Sequence, residues 1–152
     1  MVKIKICLVS SAGGHMLQIQ FFKKIFDKYE HFFITFKRPD TSELSKKKRV
    51  YFVEDPKRNP LSLLKNFFQS FLILLKEKPK VVLTTGAGIA VPTCYLAKLF
   101  NSKIIFIEDF CRPVKPSLSG KLIYPIADLF LVQWKKLVDK YGEKAIYGGP
   151  VF

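Results

Sequence analysis

The chain has 152 residues, 49% of them hydrophobic, and carries a formal charge of +14 with a sequence pI of about 9.8. This length suits one domain of ordinary size, and the hydrophobic content argues against an intrinsically disordered chain. The positive charge favours an anionic partner, such as phosphate groups, nucleic acid or an anionic membrane.

Strand-like apolar runs alternate with helix-like segments along the whole chain. The predicted strands are residues 3–10, 31–36, 50–54, 81–85, 103–108, 129–133 and 145–147. The predicted helices are residues 15–28, 61–78, 90–100 and 119–126, with a short last helix ending at Tyr141. Residues 37–48 are predicted to be a charged loop, because Pro39 blocks continuation of a helix. The pattern predicts an α/β fold: one Rossmann-like domain over residues 1–152, with a parallel sheet in the order 3-2-1-4.

Two glycine turns follow predicted strands 1 and 4. The first reads SSAGGH, residues 10–15, and the second reads TTGAG, residues 84–88. Strands 1 and 4 are neighbours where such a sheet reverses, so both turns are expected to face one crevice. A glycine turn that opens a helix presents backbone N–H groups at the positive helix end, where phosphate binds. The candidate acceptor- or phosphate-binding residues of the turns are Ser11, Gly13, Gly14, His15, Thr85, Gly86 and Gly88.

Neither turn matches a known nucleotide motif. The first lacks the G-x-G-x-x-G spacing and an acidic residue at the end of strand 2, and no Gly-Lys-Ser/Thr follows it. NAD and ATP are therefore disfavoured, and no cofactor is expected. His15 is the candidate catalytic residue, as a base or as a hydrogen-bonding group. A tight turn without a ligand and a purely structural histidine are the alternatives.

Glu108 ends strand 5 at the same edge of the sheet as the glycine turns. Its carboxylate is a candidate acceptor of hydrogen bonds from sugar hydroxyls, and Arg112 a candidate partner for that carboxylate or for a phosphate. A mutual surface ion pair is the alternative. The sequence has three cysteines, Cys7, Cys94 and Cys111, and their spacing is not that of a metal site. Because their number is odd as well, neither a metal site nor a disulfide framework is predicted.

The predicted helix over residues 61–78 is apolar on most of its faces. It is either a buried core helix or an interfacial helix with lysines at the lipid headgroups. The candidate membrane-facing residues are Phe22, Lys65, Phe67, Phe68, Phe71 and Leu72. No signal peptide is predicted, and glycine and proline interrupt the uncharged run over residues 81–97. Nucleic-acid binding is disfavoured, because the basic residues are scattered and no nucleic-acid motif appears.

These motifs together resemble the non-catalytic subunit of two-part glycosyltransferases. One branch is the membrane-recruiting subunit of the eukaryotic transferase that adds the second N-acetylglucosamine to dolichol-diphosphate-GlcNAc. The other is the accessory subunit of bacterial capsule and exopolysaccharide glycosyltransferases. The matching stretches are SSAGGH (10–15), FKRPDTSE (36–43), RNPLSLLKN (58–66), TTGAGIAVP (84–92), IIFIEDFCR (104–112), SLSGKLIYPIADLFLVQW (117–134) and AIYGGPVF (145–152).

The resemblance implies the N-terminal half of a GT-B glycosyltransferase, whose active site is a cleft between two Rossmann-like domains. Such a subunit binds the lipid-diphosphate acceptor, docks the catalytic partner that holds the UDP-sugar, and is inactive alone. The eukaryotic members carry an N-terminal membrane helix that this sequence lacks, which implies peripheral association with the cytoplasmic face of a membrane. Cys111 and Pro113 around Arg112 depart from the family pattern. A stand-alone enzyme acting on a nucleotide or sugar phosphate, and a scaffold without ligand, remain open.

The exit of strand 6 and the end of the sequence form the predicted docking edge for the catalytic partner. Apolar residues follow the last strand with no further element to cover them, at the point where a fused GT-B enzyme continues into its second domain. The candidate interface residues are Gln133, Trp134, Tyr147, Gly148, Pro150 and Phe152.

Overall fold

Seven parallel strands form one sheet in the computed structural model, which describes residues 3–152. The strands are β1 (Lys5–Ser10), β2 (Glu30–Thr35), β3 (Val50–Phe52), β4 (Val81–Gly86), β5 (Lys103–Ile107), β6 (Leu129–Val132) and β7 (Ala145–Tyr147). They lie in the order β3-β2-β1-β4-β5-β6-β7, so the predicted order at the centre of the sheet is confirmed. The direction of winding reverses between β1 and β4, which places the ends of these two strands side by side.

Helices cover both faces of this sheet. They are α1 (Gly14–Gln20), α2 (Lys23–Phe26), α3 (Pro39–Ser45), α4 (Pro60–Glu77), α5 (Ala90–Leu99), α6 (Leu118–Ile123) and α7 (Lys136–Tyr141). Alternate side chains of β1 show the two cores: Cys7 and Val9 join the cluster under α4 to α7, whereas Ile6 and Leu8 join the cluster under α1 and α2. The chain is thus an α/β, Rossmann-like layer buried on both faces, as predicted.

Two predicted elements differ from the structure. The single helix predicted over residues 15–28 is divided into α1 and α2, because Phe21 and Phe22 close the first helix with tighter i→i−3 hydrogen bonds. The predicted loop over residues 37–48 contains α3. Pro39 opens that helix rather than blocking it, since the first helical position needs no N–H donor.

The side of α4 that packs on the core carries buried polar side chains beside the apolar Leu74. Asn66 and Ser70 are fully buried, and Asn66 Nδ2 donates to the Glu54 carbonyl at 2.7 Å. Ser70 Oγ donates to Asn66 Oδ1 at 3.3 Å and accepts from Thr93 Oγ1 at 3.2 Å. These bonds satisfy the buried polar groups, which would otherwise be costly to bury.

The opposite side of α4 carries an exposed apolar ridge whose members are three or four residues apart. The ridge residues are Leu61, Leu64, Phe68, Leu72 and Leu75. A spacing of three or four residues keeps side chains on one side of a helix. Of the two alternatives for this helix, a position buried in the core does not describe this side of α4. Among the described residues 3–152, no helix combines the length and the hydrophobicity needed to cross a membrane.

The six residues predicted to face a membrane divide into two groups. Lys65, Phe67, Phe68 and Leu72 are exposed on α4, whereas Phe22 and Phe71 are half-buried. Phe22 packs on the cluster under α1 and α2, and Phe71 on the cluster under α4 to α7. These two phenylalanines lie on opposite faces of the sheet and serve the two cores, so they cannot face one membrane together.

Candidate functional site

A cleft of about 300 Å³ opens at the carboxyl ends of β1, β4 and β5. Its lining residues are His15, Asp55, Pro56, Lys57, Arg58, Ala87, Gly88, Val91, Asp109, Arg112, Ser117, Leu118, Ser119 and Leu122. His15 comes from the first glycine turn and Gly88 from the second, so the two turns meet at one crevice as the sequence predicts. We call this space the cleft.

The first turn is already engaged within the protein. Gly13 adopts φ +84° and ψ −134°, a conformation that favours glycine, and its N–H donates to Asp40 Oδ2 at 2.8 Å. The carboxylate of Asp40 thus occupies the N–H that the sequence assigned to a phosphate. Ser11 is half-buried and Gly14 exposed, and both lie outside the lining of the cleft. Of the first turn, His15 alone lines the cleft.

The His15 ring is fixed by the second turn. Its Nδ1 lies 3.0 Å from the Thr85 carbonyl, which can only accept, so Nδ1 carries a proton. Thr85 Oγ1 in return donates to the His15 carbonyl at 3.0 Å. Thr85, a predicted ligand-binding residue, is buried and serves to hold His15. The other ring nitrogen, Nε2, lies 3.5 Å from Asp109 Oδ2, and both residues line the cleft.

Asp109 is a site residue that the sequence analysis missed. Its Oδ1 accepts from Gln18 Nε2 at 2.7 Å and from the Cys111 N–H at 3.0 Å. Burial acts to raise the pKa of Asp109, but these donors and the nearby His15 hold it below its ordinary value. The carboxylate is therefore charged at neutral pH. Its position directly after Glu108, at the carboxyl edge of the sheet, is the signal that could have found it.

Glu108 has a structural role instead of the predicted contact with sugar or Arg112. The side chain is fully buried, and its Oε2 accepts from the N–H and the Oγ of Ser117, each at 3.0 Å. Oε1 accepts from the Asp109 N–H at 2.9 Å, and Tyr141 OH also donates to this carboxylate. Burial and the adjacent carboxylate raise the pKa of Tyr141. Glu108 therefore fixes the start of α6 beside the cleft.

The second turn forms the opposite wall of the cleft. Gly86 has φ +100°, and its N–H donates to Thr84 Oγ1 at 2.9 Å. Ala87 also has a positive φ, and its N–H donates to Ser119 Oγ at 3.2 Å. A Cβ added at Gly88 would meet no atom within 4 Å. Gly88 therefore leaves open space in the cleft just before α5.

Three cations make the cleft electropositive. Lys57, Arg58 and Arg112 line it, against the two carboxylates Asp55 and Asp109. Lys57 and Arg58 are consecutive residues with φ +43° and +58°, and this left-handed pair ends just before α4. Backbone strain of this kind is concentrated at ligand-binding sites. The sequence analysis singled out Arg112 but missed Lys57 and Arg58, whose only signal was a basic pair between two prolines.

The predicted docking edge is partly internal. Gln133 is buried: its Nε2 donates to the Glu108 carbonyl at 2.9 Å and its Oε1 accepts from the Val151 N–H at 2.9 Å. Its predicted contact with a partner is therefore corrected to an internal role. Trp134 is half-buried, and its Nε1 donates to the Phe110 carbonyl at 2.7 Å.

The rest of the docking edge is exposed. Tyr147, Gly148, Pro150 and Phe152 remain accessible at the surface. The Phe152 ring lies 4.7 Å from that of Phe21 and 4.9 Å from that of Phe110, measured between ring centroids. An exposed aromatic cluster therefore lies beside the end of β7.

Comparison with known proteins identifies relatives for most of the chain. Residues 48–151 match the family model described as "Oligosaccharide biosynthesis protein Alg14 like". The UDP-N-acetylglucosamine transferase subunit ALG14 of Candida albicans is 42% identical over 89 residues, which are 55% of this chain and 41% of that protein. The human protein of the same name is 35% identical over 94 residues, 58% of this chain and 43% of its own length. The chain thus spans about two fifths of the curated relatives it matches.

Solved structures share the fold at low sequence identity. MurG of Acinetobacter baumannii superposes with a TM-score of 0.77 at 13% identity, over 97% of this chain and 46% of MurG. The UDP-N-acetylglucosamine 2-epimerase of Rickettsia bellii gives a TM-score of 0.75 at 17% identity, over 98% of this chain and 45% of the epimerase. The chain therefore shares its Rossmann-like fold with a little under half of each of these proteins.

Proposed function

Since this chain belongs to the Alg14-like family of oligosaccharide biosynthesis proteins, we propose that it is the non-catalytic subunit of a heteromeric UDP-sugar glycosyltransferase. In this role it binds a lipid-diphosphate-linked sugar acceptor and recruits the catalytic subunit to the membrane. The acceptor is a precursor of a lipid-linked oligosaccharide or of a bacterial capsule or exopolysaccharide. The names of its relatives, UDP-N-acetylglucosamine transferase subunits, support N-acetylglucosamine as the first donor sugar to test.

The observation that carries this proposal is the meeting of a cationic cleft with an apolar helix side. Arg58 lines the cleft, and Leu61, the first residue of the apolar ridge, follows it by three residues. A lipid-diphosphate acceptor has the matching chemistry, with two phosphates between a sugar and a hydrocarbon chain. Lys57, Arg58 and Arg112 hold the diphosphate, since cations pair strongly with phosphate oxygens.

Val91, Leu118 and Leu122 give the cleft an apolar wall. The first isoprenoid units of the lipid pass along this wall. The open space at Gly88 accommodates the phosphates just before α5, near the positive end of that helix. His15 Nε2 and Asp109 lie beside this position and contact the acceptor sugar.

The apolar ridge lies in the interface of the membrane. Its flanking residues Lys65 and Lys76 are exposed, as expected for a helix that lies flat with its cations at the headgroups. The chain's formal charge of +14 attracts it to an anionic leaflet. This arrangement makes the chain a peripheral protein of the cytoplasmic face, with the cleft close to the headgroup layer.

The catalytic partner supplies the second half of the active site. The relatives are named as transferase subunits, which supports an assembly in which a separate subunit completes the cleft. The partner holds the UDP-sugar and docks on the exposed aromatic cluster around Phe152. On this view neither protein transfers sugar alone.

A reconstitution experiment tests the function. The purified chain, its catalytic partner and the mixture are each incubated with radiolabelled UDP-N-acetylglucosamine and a short-chain lipid-diphosphate-GlcNAc. We expect product from the mixture only, and binding of the lipid acceptor by this chain alone. Turnover by the lone chain would favour the stand-alone enzyme instead. A chain that supports transfer without any affinity for the acceptor would favour the scaffold.

A further inference from the structure

A buried chain of side-chain hydrogen bonds connects residues 149–152 with the cleft. Val151 N–H donates to Gln133 Oε1 at 2.9 Å, and Gln133 Nε2 donates to Gln18 Oε1 at 2.9 Å. Gln18 Nε2 donates to Asp109 Oδ1 at 2.7 Å, and Asp109 Oδ2 lies 3.5 Å from His15 Nε2. We call Gln133, Gln18 and Asp109 the amide relay.

The relay is assembled from residues far apart in the sequence. Gln18 belongs to α1 and Gln133 follows β6, and each side chain is only 2% exposed. A buried glutamine side chain is costly unless its amide is fully hydrogen-bonded. Apolar residues of similar volume would leave the backbone groups that these amides bind, such as the Phe110 N–H and the Glu108 carbonyl, without these partners. The two glutamines therefore tie separate segments of backbone together.

The amides have one orientation that satisfies every partner. Gln133 Nε2 faces two acceptors, Gln18 Oε1 and the Glu108 carbonyl at 2.9 Å, so its Oε1 must face the Val151 N–H. Gln18 Oε1 also accepts from the Phe110 N–H at 3.1 Å, which turns its Nε2 toward Asp109. A flip of either amide would place donors against donors and acceptors against acceptors. The position of the Val151 backbone is thus linked to the donor that Asp109 receives.

We propose that Gln18 and Gln133 are positioning residues that couple residues 149–152 to Asp109 and His15 in the cleft. Displacement of Val151 removes the donor from Gln133 Oε1, so the Gln133 side chain is held at one end only and can move. Its movement changes the bond that it gives to Gln18 Oε1 and, through Gln18, the hydrogen bond that Asp109 receives. Asp109 then shifts relative to His15 Nε2. A protein that docks on residues 149–152 thereby adjusts the site; that this protein is a catalytic glycosyltransferase subunit rests on the proposed function.

The two histidines of the chain provide a spectroscopic test. His15 lies in the cleft and His31 at the start of β2, at the opposite edge of the sheet, where its Nδ1 contacts the Tyr29 carbonyl. In protein labelled with ¹⁵N-histidine, the ring resonances report the hydrogen bonding and tautomer of each ring. They are assigned with His31→Gln. His31 is the internal reference, since none of its contacts belongs to the relay.

Three variants are compared, each in the otherwise unaltered chain and without any partner protein. Gln133→Met keeps the approximate shape of the side chain and removes its hydrogen bonds, and deletion of Val151 and Phe152 removes the donor but leaves Gln133 in place. Gln20→Met is the matched control: Gln20 is also on α1, and its Nε2 contacts Met16 Sδ at 3.9 Å, outside the relay. Circular dichroism verifies that each variant is folded.

We expect the first two variants to shift the His15 resonances and the control to leave them in place, with His31 constant throughout. Combining the deletion with Gln133→Met should produce little further shift, because both interrupt the same connection. If Gln133→Met fails to fold, the deletion alone decides. Unchanged His15 resonances in the folded variants, or fully additive shifts, would overturn the coupling.

A titration with the catalytic partner separates this proposal from the proposed function. Partner binding should shift the His15 resonances of the unmodified chain, and this response should be lost in Gln133→Met. Binding without a response at His15 contradicts the coupling. If the partner does not bind, the proposed function fails, while the deletion experiment still decides whether the relay operates.

Discussion

Gly88 is the residue at which the cleft can be filled without straining the backbone. Its φ is not left-handed, and a Cβ there would meet no atom within 4 Å. We expect Gly88→Val to occupy the diphosphate position and to lower kcat/KM for the lipid acceptor at least about tenfold, the equivalent of about 1.4 kcal/mol. The KM for the UDP-sugar should not change. Transfer assays with the reconstituted pair provide the measurement.

Gly14→Ala is the matched control for Gly88→Val. Gly14 also has open space around its Cα, but it lies outside the cleft, so its variant should keep full activity. Gly13 and Gly86 are poorer test positions, because both have a positive φ and a Cβ at Gly86 would approach Ser119 Oγ to 2.9 Å. Full activity of a folded Gly88→Val protein would move the phosphate site away from the second turn.

Neighbouring residues at the end of β5 show what the sequence could and could not predict about the site. Because the strands of such a sheet are parallel, the sequence correctly predicted that a carboxylate at the end of strand 5 lies at the same edge of the sheet as the glycine turns. Which carboxylate faces the cleft depends on the direction of the side chains: Glu108 is fully buried against α6, and Asp109 lines the cleft. The role of Asp40 at Gly13 was equally hidden, because it brings together residues 27 positions apart.

Helix α4 shows the corresponding ambiguity at the scale of an element. A helix with apolar residues on most faces is compatible with a core position or an interfacial one. Three hydrogen bonds resolve this ambiguity: Asn66 donates to the Glu54 carbonyl, Ser70 to Asn66, and Thr93 to Ser70. They place the polar side of α4 against the core and leave the apolar ridge exposed to solvent. Hydrophobicity alone could not predict this, since it assigns the apolar side to the interior.

The apolar ridge should bind membranes without being needed for folding. The double change Phe68→Ser and Leu72→Ser removes two of its most central exposed side chains. We expect binding to anionic vesicles to weaken at least about tenfold in sedimentation assays, because burial of even one apolar side chain contributes roughly 1.5–3 kcal/mol. The melting temperature should change little, and higher salt should weaken the binding that remains.

Ile25→Ser is the control for the ridge. Ile25 is 59% exposed, similar to Phe68 at 57%, but it belongs to α2 on the other face of the sheet. This variant should keep its affinity for vesicles. Equal losses of vesicle affinity in the control and in the ridge variant would show a nonspecific effect of surface hydrophobicity. Unfolding of the ridge variant would show that these side chains are needed for folding, as expected of a core helix.

Asp128 lies just before β6 and connects it to α5 and β5. Its Oδ2 accepts from Lys98 Nζ of α5 at 2.7 Å and from the Ile104 N–H of β5 at 2.8 Å, and Lys103 Nζ lies 3.3 Å from Oδ1. Burial acts to raise the pKa of Asp128, but these donors outweigh it and lower the pKa to about 2, from an ordinary value of 3.8. The folded state therefore favours the charged carboxylate.

This lowered pKa predicts how stability depends on pH. The contribution of Asp128 to stability is fully present above pH 3.8 and is lost as the pH falls toward 2. The reason is that the unfolded chain binds the proton at a higher pH than the folded protein does. We expect Asp128→Asn to destabilise the chain by about 1 kcal/mol at pH 7, a discounted value for a side chain that is partly exposed. Urea titrations should show this difference shrinking between pH 4 and pH 2. Glu143→Gln, at an exposed position after α7, should show no such convergence.

The arrangement of the whole molecule followed from the alternation of strands and helices. That pattern predicted seven strands, the central strand order and the meeting of both glycine turns, because connections between parallel strands follow few rules. The relay did not follow: Gln18 and Gln133 lie 115 residues apart, and each one alone resembles an ordinary surface glutamine. Helix α3 was hidden for a local reason, since Pro39 is compatible with a break or with a helix start.

Exposed aromatic side chains lie on both of the docking surfaces that we propose for the molecule. Phe68 on the apolar ridge and Phe152 beside β7 are 57% and 58% exposed, so they form a matched pair. Phe152 packs edge-on against Phe21 and Phe110, which fixes its ring for the contact that we propose with the catalytic partner. Phe68 belongs to the surface assigned to lipid.

Phe152→Ala should therefore weaken binding of the catalytic partner on the order of tenfold, the loss of one anchor at about 1.4 kcal/mol. Phe68→Ala should leave that affinity unchanged and reduce vesicle binding instead. Isothermal titration of each variant with the purified partner gives the dissociation constants, and vesicle sedimentation gives the second readout. Because both changes remove the same side chain at nearly equal exposure, general loss of surface hydrophobicity affects them alike. An unchanged dissociation constant for Phe152→Ala would place the subunit interface elsewhere on the molecule.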